Sequence, residues 1–106
     1  MLICFLNLLQ KVVLRVPSIL KIRGYCVYFW SNENEPIHVH IAKGVPSENA
    51  TKLWISKTGG CILANNNSKI PQKELNYLSK IISANYFLIL TSWKNHFPDC
   101  EIKYYC

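Results

Sequence analysis

Two histidines one residue apart, His38 and His40, lie in the stretch Trp30-Ser-Asn-Glu-Asn-Glu-Pro-Ile-His-Val-His-Ile41. On an extended backbone alternate side chains point the same way, so both imidazoles share a face and sit about 6.6 Å apart along the strand. Ile37, Val39 and Ile41 share the opposite face and are expected to seal a core. Imidazole changes charge near neutral pH, so one histidine can take a proton from a ribose 2′-OH. That chemistry needs a second group to stabilise the phosphorane, and Lys52 is the nearest candidate. His38, His40 and Lys52 are therefore the candidate catalytic residues. Two histidines at i and i+2 can also hold a divalent ion such as Zn²⁺, at about 2.0–2.1 Å from nitrogen. A third ligand is then required, and Glu33, Glu35 and His96 are the residues on offer. His-x-His is common by chance, so a metal is the less favoured reading and no cofactor is expected. The plainest alternative has the histidines and the Ser31-Asn32-Glu33 turn hydrogen-bonding one another to fix the hairpin.

The elements that must position these residues follow from alternation and turn signals. Ile19–Ile22 is a short extended entry, and Gly24 marks a break. Tyr25-Cys-Val-Tyr-Phe-Trp30 is aromatic and β-branched and reads as a strand. Ser31 to Pro36 is its turn, and residues 37–43 form the histidine strand. After a loop from Gly44 to Asn49, Thr51, Leu53 and Ile55 alternate with Lys52, Trp54 and Ser56. Lys57-Thr-Gly-Gly60 is a hairpin signal, with Cys61 to Ala64 as the returning strand. Asn65–Ser68 is loop. If the histidine strand and residues 51–56 pair in register, Lys52 and Trp54 join the histidines on one face. Tyr28 and Trp30 are permitted there by their own alternation. Tyr28, Trp30, Asn32, Glu33, Lys52 and Trp54 make up the expected binding surface, suited to single-stranded RNA, whose bases stack on rings and whose phosphates meet cations.

Pro71 opens a helical stretch, with Glu74 in its first turn. Leu75, Leu78, Ile82, Tyr86, Ile89, Trp93 and Phe97 recur every three or four residues, one stripe that faces the core. Asn85 marks a break between two helical segments, and Pro98 stops the second. Residues 99–106 are a short tail, either frayed or an edge strand. Strands first and helix last, with short links between strands, predict an α+β domain. It has a small antiparallel sheet of about four strands, one face of which is covered by a C-terminal helix or helix pair.

The chain has 106 residues, half of them hydrophobic and 17% charged, which excludes a disordered tail and fits one domain. Twelve Lys and Arg against six Asp and Glu give +6, a charge that favours an anionic partner. Cys4, Cys26, Cys61, Cys100 and Cys106 show none of the short spacings of zinc or redox motifs. Scattered thiols in odd number fit a reducing cytoplasm. Paired carboxylates, a Gly-rich phosphate loop and a Ser-His-Asp arrangement are all missing, which argues against nucleotide and serine hydrolases. The apolar run in residues 1–15 is shorter than the roughly 20 residues that span a bilayer. It also lacks the flanks of a secretory signal, so no membrane partner is expected. Val16-Pro17-Ser18 reads as a natural beginning, with residues 1–15 as an upstream extension and residues 16–98 as the domain.

Phe29-Trp-Ser-Asn-Glu33, Glu35-Pro36-x-His38-Val-His40, Lys52-x-Trp54, Ile70-Pro71-x-Lys73-Glu74-Leu75, Asn85 and Trp93-x-x-x-Phe97 together resemble the bacterial domain-of-unknown-function 4160 family. The resemblance runs from about residue 17 to residue 97. Members begin near a Met-Pro equivalent of Val16-Pro17, which is the reason to suspect the start. The family is uncharacterised, and its genes are described beside small antitoxin-like partners. The resemblance therefore implies a toxin–antitoxin-type role with such a protein as partner. This sequence departs from the pattern at Ile37, where a second Pro is usual, and at Tyr86-Phe87-Leu88, where relatives carry charge. The greasier helix suggests a homodimer or a bound partner. His96 stands where an aromatic residue is usual, which makes it a poor third metal ligand for the family.

Overall fold

Five extended segments pair antiparallel in the order in which they occur along the chain. They are β1 (Ser18–Ile22), β2 (Tyr25–Tyr28), β3 (His38–Lys43), β4 (Thr51–Ile55) and β5 (Cys61–Asn65). Two helices follow, α1 (Gln72–Ala84) and α2 (Tyr86–His96). The computed structural model describes residues 18–30 and 35–105. The suspected extension at residues 1–15 and the proposed start at Val16-Pro17 lie outside them.

The sheet has one strand more than the four or so that alternation predicts, because the Ile19–Ile22 entry pairs with β2. A two-residue turn at Arg23-Gly24 makes this hairpin. Both residues have positive φ, 50° and 84°, as the tightest hairpin loops require. Arg in the first of these positions hides the turn from a reading that looks for Asn-Gly or Gly-Gly. The Lys57–Gly60 hairpin forms where expected, with the Ser56 N–H donating to Gly60 O at 2.9 Å and the Gly59 N–H to Ser56 O at 3.0 Å. Gly59 has φ +90°, a left-handed conformation that side chains rarely adopt, and it packs beside the Tyr86 ring.

Val27, Phe29, Ile37, Val39, Ile41, Leu53 and Ile55 face the helices, which answer with Leu75, Leu78, Ile82, Ile89 and Trp93. Each such aliphatic side chain contributes roughly 1.5–3 kcal/mol through burial. The helical stripe is thus core along its length, with Tyr86 and Phe97 half-buried at its margins. The break at Asn85 is where the sequence places it. The Asn85 N–H reaches Ile81 O and Ile82 O, and its side-chain amide donates to Ile81 O at 2.8 Å, which ends one helix as the next begins. As far as Tyr105 the tail is packed without forming a strand. Lys103 O accepts the Ile37 N–H at 2.8 Å, and Ile102 and Tyr104 pack against the core. The result is the α+β architecture of an open antiparallel sheet with a helix pair on one face.

Candidate functional site

Antiparallel register builds the second face of the sheet. Tyr28 of β2 lies opposite His40 of β3, which lies opposite Lys52 of β4, and His38 lies opposite Trp54. The rings make a continuous set. Tyr28 and His40 stack at 5.5 Å and 30°, Tyr28 meets Trp30 edge-on at 5.5 Å, and Trp30 lies 6.4 Å from His40. His38 meets His40 edge-on at 4.9 Å and Trp54 at 5.7 Å. Lys52 Nζ lies 4.2 Å from the centroid of the Trp54 ring and 2.6 Å from Glu35 Oε1. Its charge is therefore shared between a ring face and a carboxylate.

Parity puts both histidines on this face, but the face is not uniformly open. His38 is 0% exposed, and the expectation that its ring looks outward is corrected here. Trp93 of α2 reaches the end of the sheet and sets its ring edge-on to His38 at 5.4 Å, while Trp54 closes from β4. His38 Nδ1 lies 2.8 Å from Pro36 O. A carbonyl can only accept, so Nδ1 carries the proton and the imidazole ties the strand to its own turn. His40 is half-buried.

Tyr28 is also enclosed. Its hydroxyl donates to Ser47 O at 2.8 Å and accepts the Ser47 N–H at 2.9 Å, so the loop after β3 folds over it. Cys26, Ala42 and Ala50 complete a small second core with Tyr28, and Trp30 leans on it. Burial pushes the Cys26 and Cys61 thiols up from their ordinary value, which suits inert packing residues better than nucleophiles. Trp30, His40, Lys52 and Trp54 remain as the accessible members of the expected surface, and Asn32 and Glu33 lie outside the described residues.

One residue escapes the sequence reading. Tyr105, in the tail, stacks on Trp54 with the rings 4.8 Å apart and 4° from parallel, and it is 59% exposed. Alternation of Ile102 and Tyr104 inward with Lys103 and Tyr105 outward is the signal that points to it. His96 does not join the other histidines. It is exposed on α2, hydrogen-bonded to Ser92 O at 3.1 Å, with its ring edge-on to Phe29. Among the described residues, no three of His, Cys, Asp and Glu come together as a metal site would require. Of the third ligands on offer, His96 stands apart on α2, Glu35 pairs with Lys52, and Glu33 lies outside the described residues.

Of the departures from the family pattern, Tyr86 packs on the hairpin and donates to Lys57 O at 3.1 Å. The Tyr104 hydroxyl 3.1 Å away, and then burial, push its phenol from the ordinary 10.0 up to about 12. Phe87 and Leu88 are exposed. No helix among the described residues is long and apolar enough to cross a membrane. Neither a curated protein nor a solved structure matches the chain. Residues 24–94 match the protein-family model described as a domain of unknown function (DUF4160). That span takes in the histidine strand, all of α1 and most of α2, and the chain belongs to the DUF4160 family.

Proposed function

We propose that the sheet face opposite the helices binds single-stranded RNA, in the cytoplasm, as part of a toxin–antitoxin-type pair. The observation that carries this reading is the Trp54–Tyr105 stack, which presents a flat, largely exposed ring beside Lys52 and across the sheet from His40. Base–aromatic stacking is worth about 1–3 kcal/mol per base and tolerates any sequence. The +6 charge of the chain supplies the phosphate attraction that stacking lacks. In a cleavage version, His40 takes the ribose proton and Lys52 holds the phosphorane. Lys52 is already paired with Glu35, and His38 with Pro36 O, which favours binding without turnover.

Retardation of a labelled single-stranded RNA in a native gel tests the reading. The protein should retard it at low salt, retardation should fade as salt rises, and Tyr105→Ala and His40→Ala should weaken it. No retardation at low salt would overturn the proposal. Shortened RNA that disappears with His40→Ala would add catalysis to it.

A second reading is favoured at one position. The enclosure of His38 and its bond to Pro36 O fit a hairpin that is structural, in a module whose business is protein binding. Under that reading His38→Ala lowers stability and leaves RNA retardation, if any, unchanged.

A further inference from the structure

Among the described residues, no strand pairs with the outer edge of β5, the last strand of the sheet. Ile55 gives its N–H to Ile37 O at 3.1 Å, on the β3 side, so the Ile55–Cys61 pair is not hydrogen-bonded. In an antiparallel ladder bonded and non-bonded pairs alternate, so the backbone groups of Cys61 and Leu63 point away from the sheet. A register shift after Leu63 limits this regular edge to Cys61–Leu63. Natural edge strands are usually guarded by charge or proline. β5 has neither in Cys-Ile-Leu-Ala-Asn, and Ile62 and Leu63 are 37% and 48% exposed. The apolar surface continues past the strand. Cys61 Sγ lies 3.6 Å from Ser83 Oγ of α1, and the exposed Phe87 ring follows, lining a recess with Lys57, Gly59, Gly60 and Ala84.

The charge around this edge has one sign. Lys57 stands before β5 and lines the recess with Phe87, and Lys80 is on α1 next to Ser79, whose carbonyl oxygen lies 3.7 Å from Cys61 Sγ. From Ala50 to Pro98 the chain has six lysines and a single acidic residue, Glu74, whose carboxylate accepts the Tyr25 hydroxyl near the other side of the sheet. A second copy seated on β5 would bring its own lysines and no matching carboxylate to this edge, like charge beside like. We infer that β5 is the docking edge for an extended acidic segment of a protein partner. The segment adds a sixth strand, its backbone bonding Cys61 and Leu63 and its carboxylates meeting Lys57 and Lys80. This inference stands apart from the RNA reading, since it uses none of the same side chains.

The test is amide hydrogen exchange on the ¹⁵N-labelled full chain, with a synthetic peptide alternating valine and glutamate as probe. A peptide with lysine in place of glutamate is the control. The acidic peptide should slow exchange at Cys61 and Leu63 at least tenfold, and the lysine peptide should not. The double substitution Lys57→Glu with Lys80→Glu, both exposed positions, should weaken peptide binding at least tenfold with an unchanged thermal midpoint. Unprotected β5 amides, or equal protection by both peptides, would overturn the inference. So would protection that rises with protein concentration alone, which would assign the edge to a second copy.

Discussion

On one face of the sheet Val39, Ile41, Leu53 and Ile55 meet two helices; on the other, His38, His40, Lys52 and Trp54 meet rings, a loop and the tail. The first face is held by burial of aliphatic surface, continuous and non-directional. The second is held by ring pairs worth about 0.5–1.5 kcal/mol each and by hydrogen bonds with fixed partners. Removing a residue should therefore do different things on the two faces. Core truncation costs stability, whereas truncation of the accessible rings costs binding.

The largest effect is expected on the helix side. Leu78→Ala and Ile82→Ala each leave a cavity in a fully packed core and should cost about 2–5 kcal/mol in chemical denaturation. His38 tests where the two faces meet. Its removal leaves Pro36 O without its donor and should cost about 1–3 kcal/mol, with His40→Ala costing less. Equal losses at the two histidines would break the distinction drawn between them. On the ring side, Tyr105→Ala should lower RNA affinity by about 1–3 kcal/mol while stability falls by no more than one ring pair. Titration with RNA and thermal melting of the same variant give both numbers.

Alkaline pH offers a finer test of how the tail is fastened. With the Tyr86 phenol at about 12 in the folded chain against 10.0 when free, the folded state holds this proton more tightly. The contribution is whole below pH 10 and is lost as pH rises through about 12. Unfolding measured across that window should show stability falling with pH, and Tyr86→Phe should flatten the slope. The smallest effect belongs to the Lys52–Glu35 pair. Its carboxylate is half exposed, and Glu35→Gln should change stability by no more than about 1 kcal/mol.

Alternation and spacing carried most of the architecture. Ile37, Val39 and Ile41 against His38 and His40 reveal the parity of β3, and the stripe from Leu75 to Phe97 reveals both helices and their break at Asn85. Parity tells which residues share a face, and it is silent on what lies over that face. The enclosure of His38 depends on Trp93, 55 positions further along the chain, and that of Tyr28 on Ser47. The Trp54–Tyr105 stack depends on a tail anchored by the Ile37 N–H. Each is a long-range contact with no local pattern. β1 was legible only as an extended entry because Arg23 occupies a left-handed turn position usually held by Asn or Gly.

The most direct measurement is a titration of the labelled protein with a short single-stranded RNA at low salt, following ring signals by NMR. Shifts are expected at Tyr105, Trp54, His40 and Trp30, with Phe29 and other helix-side rings unmoved. Shifts confined to the helix side, or none at any ring, would contradict it.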